Sequence, residues 1–141
     1  MNLDLEGKVA IITGGSDGIG KAAALSMSRE GARVAIAART EETLAEAASQ
    51  ISTETGNEVI GISADVSDEA QVESLIRQVA DKWGQIDIIV NNAGTSSVAR
   101  IEEMTNEQMV ADVALKVYGA IYCPRHALPY LKQSDAGVII N

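Results

Sequence analysis

The chain has no phenylalanine, one tryptophan and one cysteine, and none of its apolar runs is long enough to cross a bilayer. The single cysteine, Cys123, excludes an internal disulfide and indicates a reducing compartment. A net charge of −9, from 11 basic and 20 acidic residues, argues against nucleic acid or an anionic membrane surface as the main partner. The N-terminus has acids where a secretory signal would have a basic segment, so we expect a soluble, cytoplasmic protein.

What the sequence does contain is an alternation of strand and helix patterns. Its 141 residues, 46% of them hydrophobic, suffice for one core and one domain. Short apolar runs rich in β-branched residues predict buried strands at 8–13, 33–38, 58–64, 86–90 and 137–141. Short links between these strands and the intervening helices predict an α/β fold with a parallel sheet.

Capping residues set the expected helix boundaries. Thr40 and Ser67 are expected to cap the second and third helices, and a capping box is expected at Thr105. The helix that begins after Thr105 is expected to reach Leu131, with a kink or break at Pro124.

A glycine-rich turn follows the first strand. Glycines at 14, 18 and 20 permit a sharp turn, a close backbone approach to a ligand, and tight packing of the next helix on the sheet. Such a helix start suits an anion, although a strand-to-helix turn also needs glycines for purely structural reasons. A P-loop is a poor match, because Ala22 stands where the Mg²⁺-binding hydroxyl is required. The spacing therefore favours a dinucleotide-binding turn.

Three further motifs extend this interpretation. TGGSDGIG at 13–20 is followed by Asp65-Val66 after the third strand, NNAG at 91–94 after the fourth, and GVIIN at 137–141. In this order and on these elements, the chain resembles the short-chain dehydrogenase/reductase family over all 141 residues. The resemblance implies a Rossmann-like, doubly wound parallel sheet with strand order 3-2-1-4-5. It also implies that residues 1–141 form the dinucleotide-binding domain.

The resemblance also implies roles for individual residues. The pyrophosphate would be lined by Gly14, Gly18, Ile19 and Gly20, with Ser16 and Asp17 in the same loop. Asp65 would accept a hydrogen bond from the adenine amino group, and Val66 would lie beside the ring. Asn92, Ala93 and Gly94 would run along the cofactor. For Asp65 and Asn92, ordinary capping of nearby backbone is a compatible alternative.

The end of the second strand indicates which dinucleotide is bound. NAD sites place an acid there for the ribose diol, whereas an arginine accommodates a 2′-phosphate. Here Ala38 occupies the acid's position, and Arg39 and Thr40 follow it. We therefore expect NADP(H) in preference to NAD(H), although Asp17 weakens the case. The alternative for Arg39 is a solvated loop residue paired with Glu42.

The catalytic residues that the resemblance implies are largely absent. The family's Ser and Tyr-x-x-x-Lys lie beyond the strand at which this chain stops, and Tyr118, Tyr122 and Tyr130 lack a lysine four residues later. Lys116 stands at the family's asparagine position and is the one catalytic candidate. The chain resembles a fragment cut after the start of strand five, which would leave that strand an unprotected edge. We expect the 141 residues alone to be inactive, and we expect no metal.

Two kinds of function remain open. The first is an NADP(H)-dependent oxidoreductase acting on a small carbonyl or alcohol substrate, represented here by its cofactor-binding portion. The alternative is a non-catalytic nucleotide-binding module or a structural protein. In either case the helix at 105–131 is expected to mediate homo-oligomers, as the resemblance implies.

Overall fold

A computed structural model describes residues 3–95 and 99–141. Its five parallel strands are β1 (Val9–Thr13), β2 (Arg33–Ala38), β3 (Val59–Ser63), β4 (Ile88–Val90) and β5 (Val138–Ile140). The helices are α1 (Gly18–Arg29), α2 (Glu41–Thr55), α3 (Glu69–Trp83), α4 (Asn106–Val113) and α5 (Gly119–Leu131). The strand order β3-β2-β1-β4-β5 confirms the predicted topology. Within the described residues, no helix combines the length and apolarity that a membrane span requires.

The central strand, β1, is buried on both faces. Val9 and Ile11 pack into a core cluster with α3 and α5, whereas Ile12 packs into a second cluster with α1 and α2. Alternate side chains of a strand point to opposite faces, so this division places helices on both sides of the sheet. The continuous apolar run predicted this double burial.

Two of the expected caps need correction. Asp68, and not Ser67, caps α3: its carboxylate accepts hydrogen bonds from Ala70 N and Gln71 N. The Ser67 hydroxyl instead donates to Asp65 Oδ1 at 2.6 Å. Thr40 occupies the N-cap position of α2 but makes no side-chain capping hydrogen bond.

The long helix after Thr105 also differs from expectation. The capping box at Thr105 is present, but the helix does not break at Pro124 and continues to Leu131. A buried stripe of Gly119, Cys123, Ala127 and Leu131 faces the core, and this packing outweighs the roughly 3 kcal/mol that an interior proline costs. The irregularity lies earlier, in a π-helical segment (Ala114–Tyr118) that joins α4 to α5.

The last strand, β5, forms an edge of the sheet. It pairs in parallel with β4, and its three residues remain 42–44% exposed. This agrees with the expected open edge.

A buried carboxylate ties three strands together at the amino end of the sheet. Asp87, which is 3% exposed, accepts hydrogen bonds from Val9 N at 2.8 Å and from Ser134 Oγ at 2.6 Å. Gln85 Nε2 donates to the same carboxylate at 2.9 Å. The Asp87 backbone also accepts from Val138 N, so this residue links β1, β4 and β5.

We expect Asp87→Ala to lower the free energy of unfolding of the intact protein by about 1–3 kcal/mol, because the buried Val9 N–H loses its acceptor. Asp87→Asn keeps one acceptor oxygen and should lose less. The exposed Asp81 on α3 provides a control, since Asp81→Ala should change stability by no more than about 0.5 kcal/mol. Urea denaturation at pH 7 measures all three variants. Equal losses of unfolding free energy in Asp87→Ala and Asp81→Ala would show that the Asp87 carboxylate does not hold the three strands together.

The buried Cys123 gives stability a pH dependence. Burial raises the pKa of its thiol from an ordinary value of 9.0 to about 12. Above about pH 9 the unfolded chain loses the thiol proton while the native state keeps it, so stability falls as pH rises, by about 1.4 kcal/mol per pH unit. Cys123→Ala should remove this component. Urea denaturation between pH 8 and 11 should show a steeper loss for the wild type, and parallel curves would refute the prediction.

Candidate functional site

In the turn after β1, the backbone of Gly14 lies very close to the backbones of Ala93 and Gly20. Gly14 adopts φ 66°, and its N–H donates to Ala37 O at 2.7 Å. A Cβ on Gly14 would lie 2.9 Å from Ala93 Cα, and one on Gly20 would lie 2.3 Å from Gly14 O. Since real Cβ atoms do not approach so closely, only glycine fits at either position. These contacts pack the start of α1 against the ends of β1 and β4.

Hydrogen bonds between Thr13 and Asn92 lock the ends of β1 and β4 together. Thr13 Oγ1 accepts from Asn92 N at 3.1 Å and from Ala93 N at 3.0 Å. In return, Asn92 Nδ2 donates to Thr13 O at 3.0 Å and to Gly14 O at 3.1 Å. The segment 92–94 is thereby held beside the glycine turn.

The helices differ in how their N-termini are capped. The N-cap residues of α1 and α2 are Asp17 and Thr40, and neither makes a side-chain capping hydrogen bond. The N-termini of α3 and α4 are capped by Asp68 and by the Thr105 box. The helix dipole and unpaired N–H groups at α1 and α2 therefore remain available to an anion.

A cleft of about 140 Å³ opens at the carboxyl ends of the strands. It is lined by the last two residues of β2, by residues that follow β1, β2, β3 and β4, and by one residue of the π segment: Gly14, Ala37, Ala38, Arg39, Ala64, Asp65, Val66, Ala93, Gly94, Thr95 and Leu115. In an open α/β sheet this is the crevice in which ligands bind.

The sequence-predicted site residues divide into those inside the cleft and those around it. Six line the cleft: Gly14, Arg39, Asp65, Val66, Ala93 and Gly94. Asn92 supports the cleft through its bonds to the glycine turn. Ser16, Asp17 and Gly18 line adjoining grooves between α1 and α2. Ile19 is 82% exposed, Thr40 lies at the N-cap of α2 outside the cleft, and Lys116 lies beside Gly94.

Sequence reasoning missed several residues of the site. Thr13 begins the TGGSDGIG motif but was given no role of its own, although a hydroxyl at a strand end could have indicated a bond to the neighbouring turn. Leu115 lines the cleft, and nothing in the helical pattern distinguishes it from a core residue.

The Asp65 carboxylate is oriented by its neighbours. Its Oδ1 accepts from Ser67 N at 2.9 Å and from Ser67 Oγ at 2.6 Å. Among the residues that the structure describes, none donates to Oδ2. The carboxylate thus caps the following turn and still presents one acceptor to the cleft.

Arg39 lies at the side of the cleft formed by the end of β2. The alternative pairing with Glu42 is not formed, and Arg39 makes no salt bridge within residues 3–95 and 99–141. Its carbonyl oxygen accepts from Ser63 Oγ at 3.1 Å, which fixes the backbone at this point.

The lone histidine and cysteine do not form a catalytic pair. His126 Nε2 lies 3.1 Å from Glu69 Oε1, and Arg125 donates to the same oxygen at 2.9 Å. These two partners lower the pKa of Glu69. The Cys123 thiol is buried, and its raised pKa keeps it protonated.

Comparison with known proteins gives consistent results. A family profile described as short chain dehydrogenase matches residues 8–141. Sorbitol dehydrogenase from Cereibacter sphaeroides is 42% identical over 138 residues, which are 97% of this chain and 52% of that protein. An uncharacterized oxidoreductase from Thermotoga maritima is 36% identical over 137 residues, covering 97% of this chain and 53% of that protein.

Solved structures share the fold at similar identity. L-Sorbose reductase from Gluconobacter frateurii, complexed with NADPH and L-sorbose, has a TM-score of 0.93 at 35% identity, covering 99% of this chain and 53% of that chain. An alcohol dehydrogenase from the archaeon Thermococcus sibiricus, complexed with 5-hydroxy-NADP, has a TM-score of 0.87 at 34% identity, covering 93% and 56%. This chain spans about half the length of the relatives it matches.

We expect Thr13→Val to lower the free energy of unfolding by about 1–3 kcal/mol, because valine keeps the shape of the side chain and removes the acceptor of two backbone N–H groups. Thr13→Ser keeps the hydroxyl and serves as the matched control with a smaller loss. Urea denaturation of the intact protein compares the two variants. If both lose the same stability, the hydroxyl does not hold the 92–93 backbone in place.

Proposed function

Because the chain belongs to the short-chain dehydrogenase family, we propose that it forms the cofactor-binding portion of an NADP(H)-dependent oxidoreductase. The reaction is hydride transfer between the nicotinamide and the carbonyl or alcohol carbon of a small molecule. The cofactor supplies the hydride chemistry when bound, and the protein supplies binding and orientation. The observation that carries the choice of NADP(H) is at the end of β2. Ala38 stands where an NAD site has an acid, and Arg39, which follows it, forms no salt bridge within the described residues.

The residues of the cleft fit a dinucleotide. The uncapped N-terminus of α1 offers N–H groups to a pyrophosphate, and a Cβ built on Gly18 meets nothing within 4 Å, so a ligand has room to approach. Asp65 Oδ2 would accept from the adenine amino group, and Val66 would lie beside the ring. Gly14, Ile19, Gly20, Asn92, Ala93 and Gly94 would complete the cradle, with Ser16 and Asp17 at its edge.

A 2′-phosphate would find two favourable groups near the end of β2. The Arg39 guanidinium can donate a bidentate pair of hydrogen bonds, and the uncapped N-terminus of α2 adds N–H groups beside the Thr40 hydroxyl. No carboxylate stands at position 38 to repel the phosphate. The NADPH and 5-hydroxy-NADP complexes of the two structural relatives support the same choice. The acidic Asp17 in the glycine loop argues against NADP(H), because its negative charge would repel a phosphate.

Catalysis by these 141 residues alone is not part of the proposal. Tyr118, Tyr122 and Tyr130 are followed four residues later by Tyr122, His126 and Ser134, so none has the lysine that the family mechanism uses. We propose that the described cleft binds the cofactor and that turnover requires residues outside this sequence.

We also propose a cytoplasmic homo-oligomer. The single buried cysteine supports a reducing compartment. An exposed apolar face on the helix from α4 to α5 supports self-association, with Met109, Val110, Val113, Val117 and Ile121 each 45–63% exposed.

We expect the intact protein to bind NADPH more tightly than NADH, and Arg39→Gln to weaken NADPH binding by about 10- to 100-fold with little effect on NADH. The loss corresponds to a charge-assisted hydrogen bond to the 2′-phosphate. Arg33→Gln, at the opposite end of the same strand, is the matched control and should change neither affinity. Isothermal titration calorimetry measures both ligands. Tighter NADH binding by the wild type, or an equal loss for both cofactors in Arg39→Gln, would overturn the NADP(H) assignment.

A further inference from the structure

Lys116, on the π segment, lies beside the cleft. Its Cε lies 3.8 Å from the point where a Cβ would stand on Gly94, and Gly94 lines the cleft. The preceding residue, Leu115, lines the cleft directly. The exposed Lys116 side chain is therefore placed against the segment that follows β4.

The Lys116 ammonium has no carboxylate partner in the described part of the chain. Five other basic residues form salt bridges there: Lys8, Arg29, Lys82, Arg100 and Arg125. Asp112, four residues before Lys116, has the spacing that often pairs Asp with Lys on a helix. Its Oδ1 instead accepts from Thr95 Oγ1 at 3.2 Å, and no salt bridge joins it to Lys116. The Lys116 ammonium thus stands beside the cleft without a salt bridge to a described carboxylate.

Core packing accounts for the π segment only in part. None of its five residues is fully buried, although Leu115 packs partly against the core, and π-helical turns are uncommon irregularities that often occur at functional sites. The segment places Leu115 on the cleft and Lys116 beside it. This points to a ligand contact for Lys116.

The position of Lys116 separates it from the cofactor phosphates. Arg39 follows β2 and Gly94 follows β4, on opposite sides of β1 in the sheet. The 2′-phosphate and pyrophosphate already have Arg39 and the N-terminus of α1. We infer that Lys116 is a specificity-determining residue that binds an anionic substituent, a carboxylate or phosphate, of the carbonyl or alcohol substrate. This inference rests on the proposed function.

The test uses a charged and a neutral probe of similar shape, oxalate and oxamide, which avoids dependence on turnover. Each is titrated calorimetrically into the intact protein with and without NADPH, and NADPH affinity is measured on the same samples. We expect oxalate to bind the NADPH complex at least about tenfold more tightly than oxamide. Lys116→Met should abolish this preference, and Lys116→Arg should retain it. Lys132→Met, which removes an exposed lysine just after α5, is the control and should leave it intact.

The remaining outcomes distinguish a failure of the role of Lys116 from a failure of the proposed oxidoreductase function. Equal binding of the two probes, no binding of either, or an oxalate preference that survives Lys116→Met overturns the role of Lys116. Loss of NADPH affinity in Lys116→Met would assign the residue to the cofactor site and would also overturn it, while leaving the oxidoreductase proposal in place. Failure of the wild type to bind NADPH would instead count against the proposed function.

Discussion

The cleft depends on the hydrogen-bonded junction between the ends of β1 and β4. Thr13 and Asn92 exchange four hydrogen bonds with the two backbones, and Gly20 packs against the same turn at a distance that excludes any side chain. At this junction the chain leaves for opposite faces of the sheet, so a crevice forms there. Because the junction uses the Thr13 hydroxyl and the Asn92 amide N–H groups, these two residues hold the walls of the cleft in place.

The helices differ in whether a side chain caps their N-terminus. The N-termini of α3 and α4 are closed by Asp68 and Thr105, whereas those of α1 and α2 have no side-chain cap. An uncapped N-terminus leaves backbone donors unpaired, and replacing a cap typically costs about 1 kcal/mol. Both uncapped helices start at the carboxyl edge of the sheet, where an anion would satisfy the donors. The fold thus forgoes the stability of a side-chain cap at the starts of α1 and α2.

The sequence predicted the sheet well because buried parallel strands leave a distinct pattern of short β-branched runs. The cap of α3 was assigned one residue too early, since Ser67 and Asp68 are both good caps and only the structure shows Ser67 bonded to Asp65. The helix does not break at Pro124, because the buried stripe, which propensity does not include, holds α5 in place. Of the site, the glycine turn was predictable from spacing, and Asp65 only from the family resemblance. Thr13 and Leu115 were not, since their roles arise only when distant segments meet.

The net charge of −9 would by itself repel an anionic ligand, yet Arg39 lines the cleft, Lys116 lies beside Gly94, and neither forms a salt bridge within the described residues. The acidic surface and the local cations act over different distances. At physiological ionic strength exposed charges are screened beyond about 8 Å, so the distant acidic surface contributes little within the cleft. A cation without a salt bridge acts at contact distance, where a charge-assisted hydrogen bond is strong. The acidic net charge of this chain therefore does not by itself oppose a polyanionic ligand in the cleft.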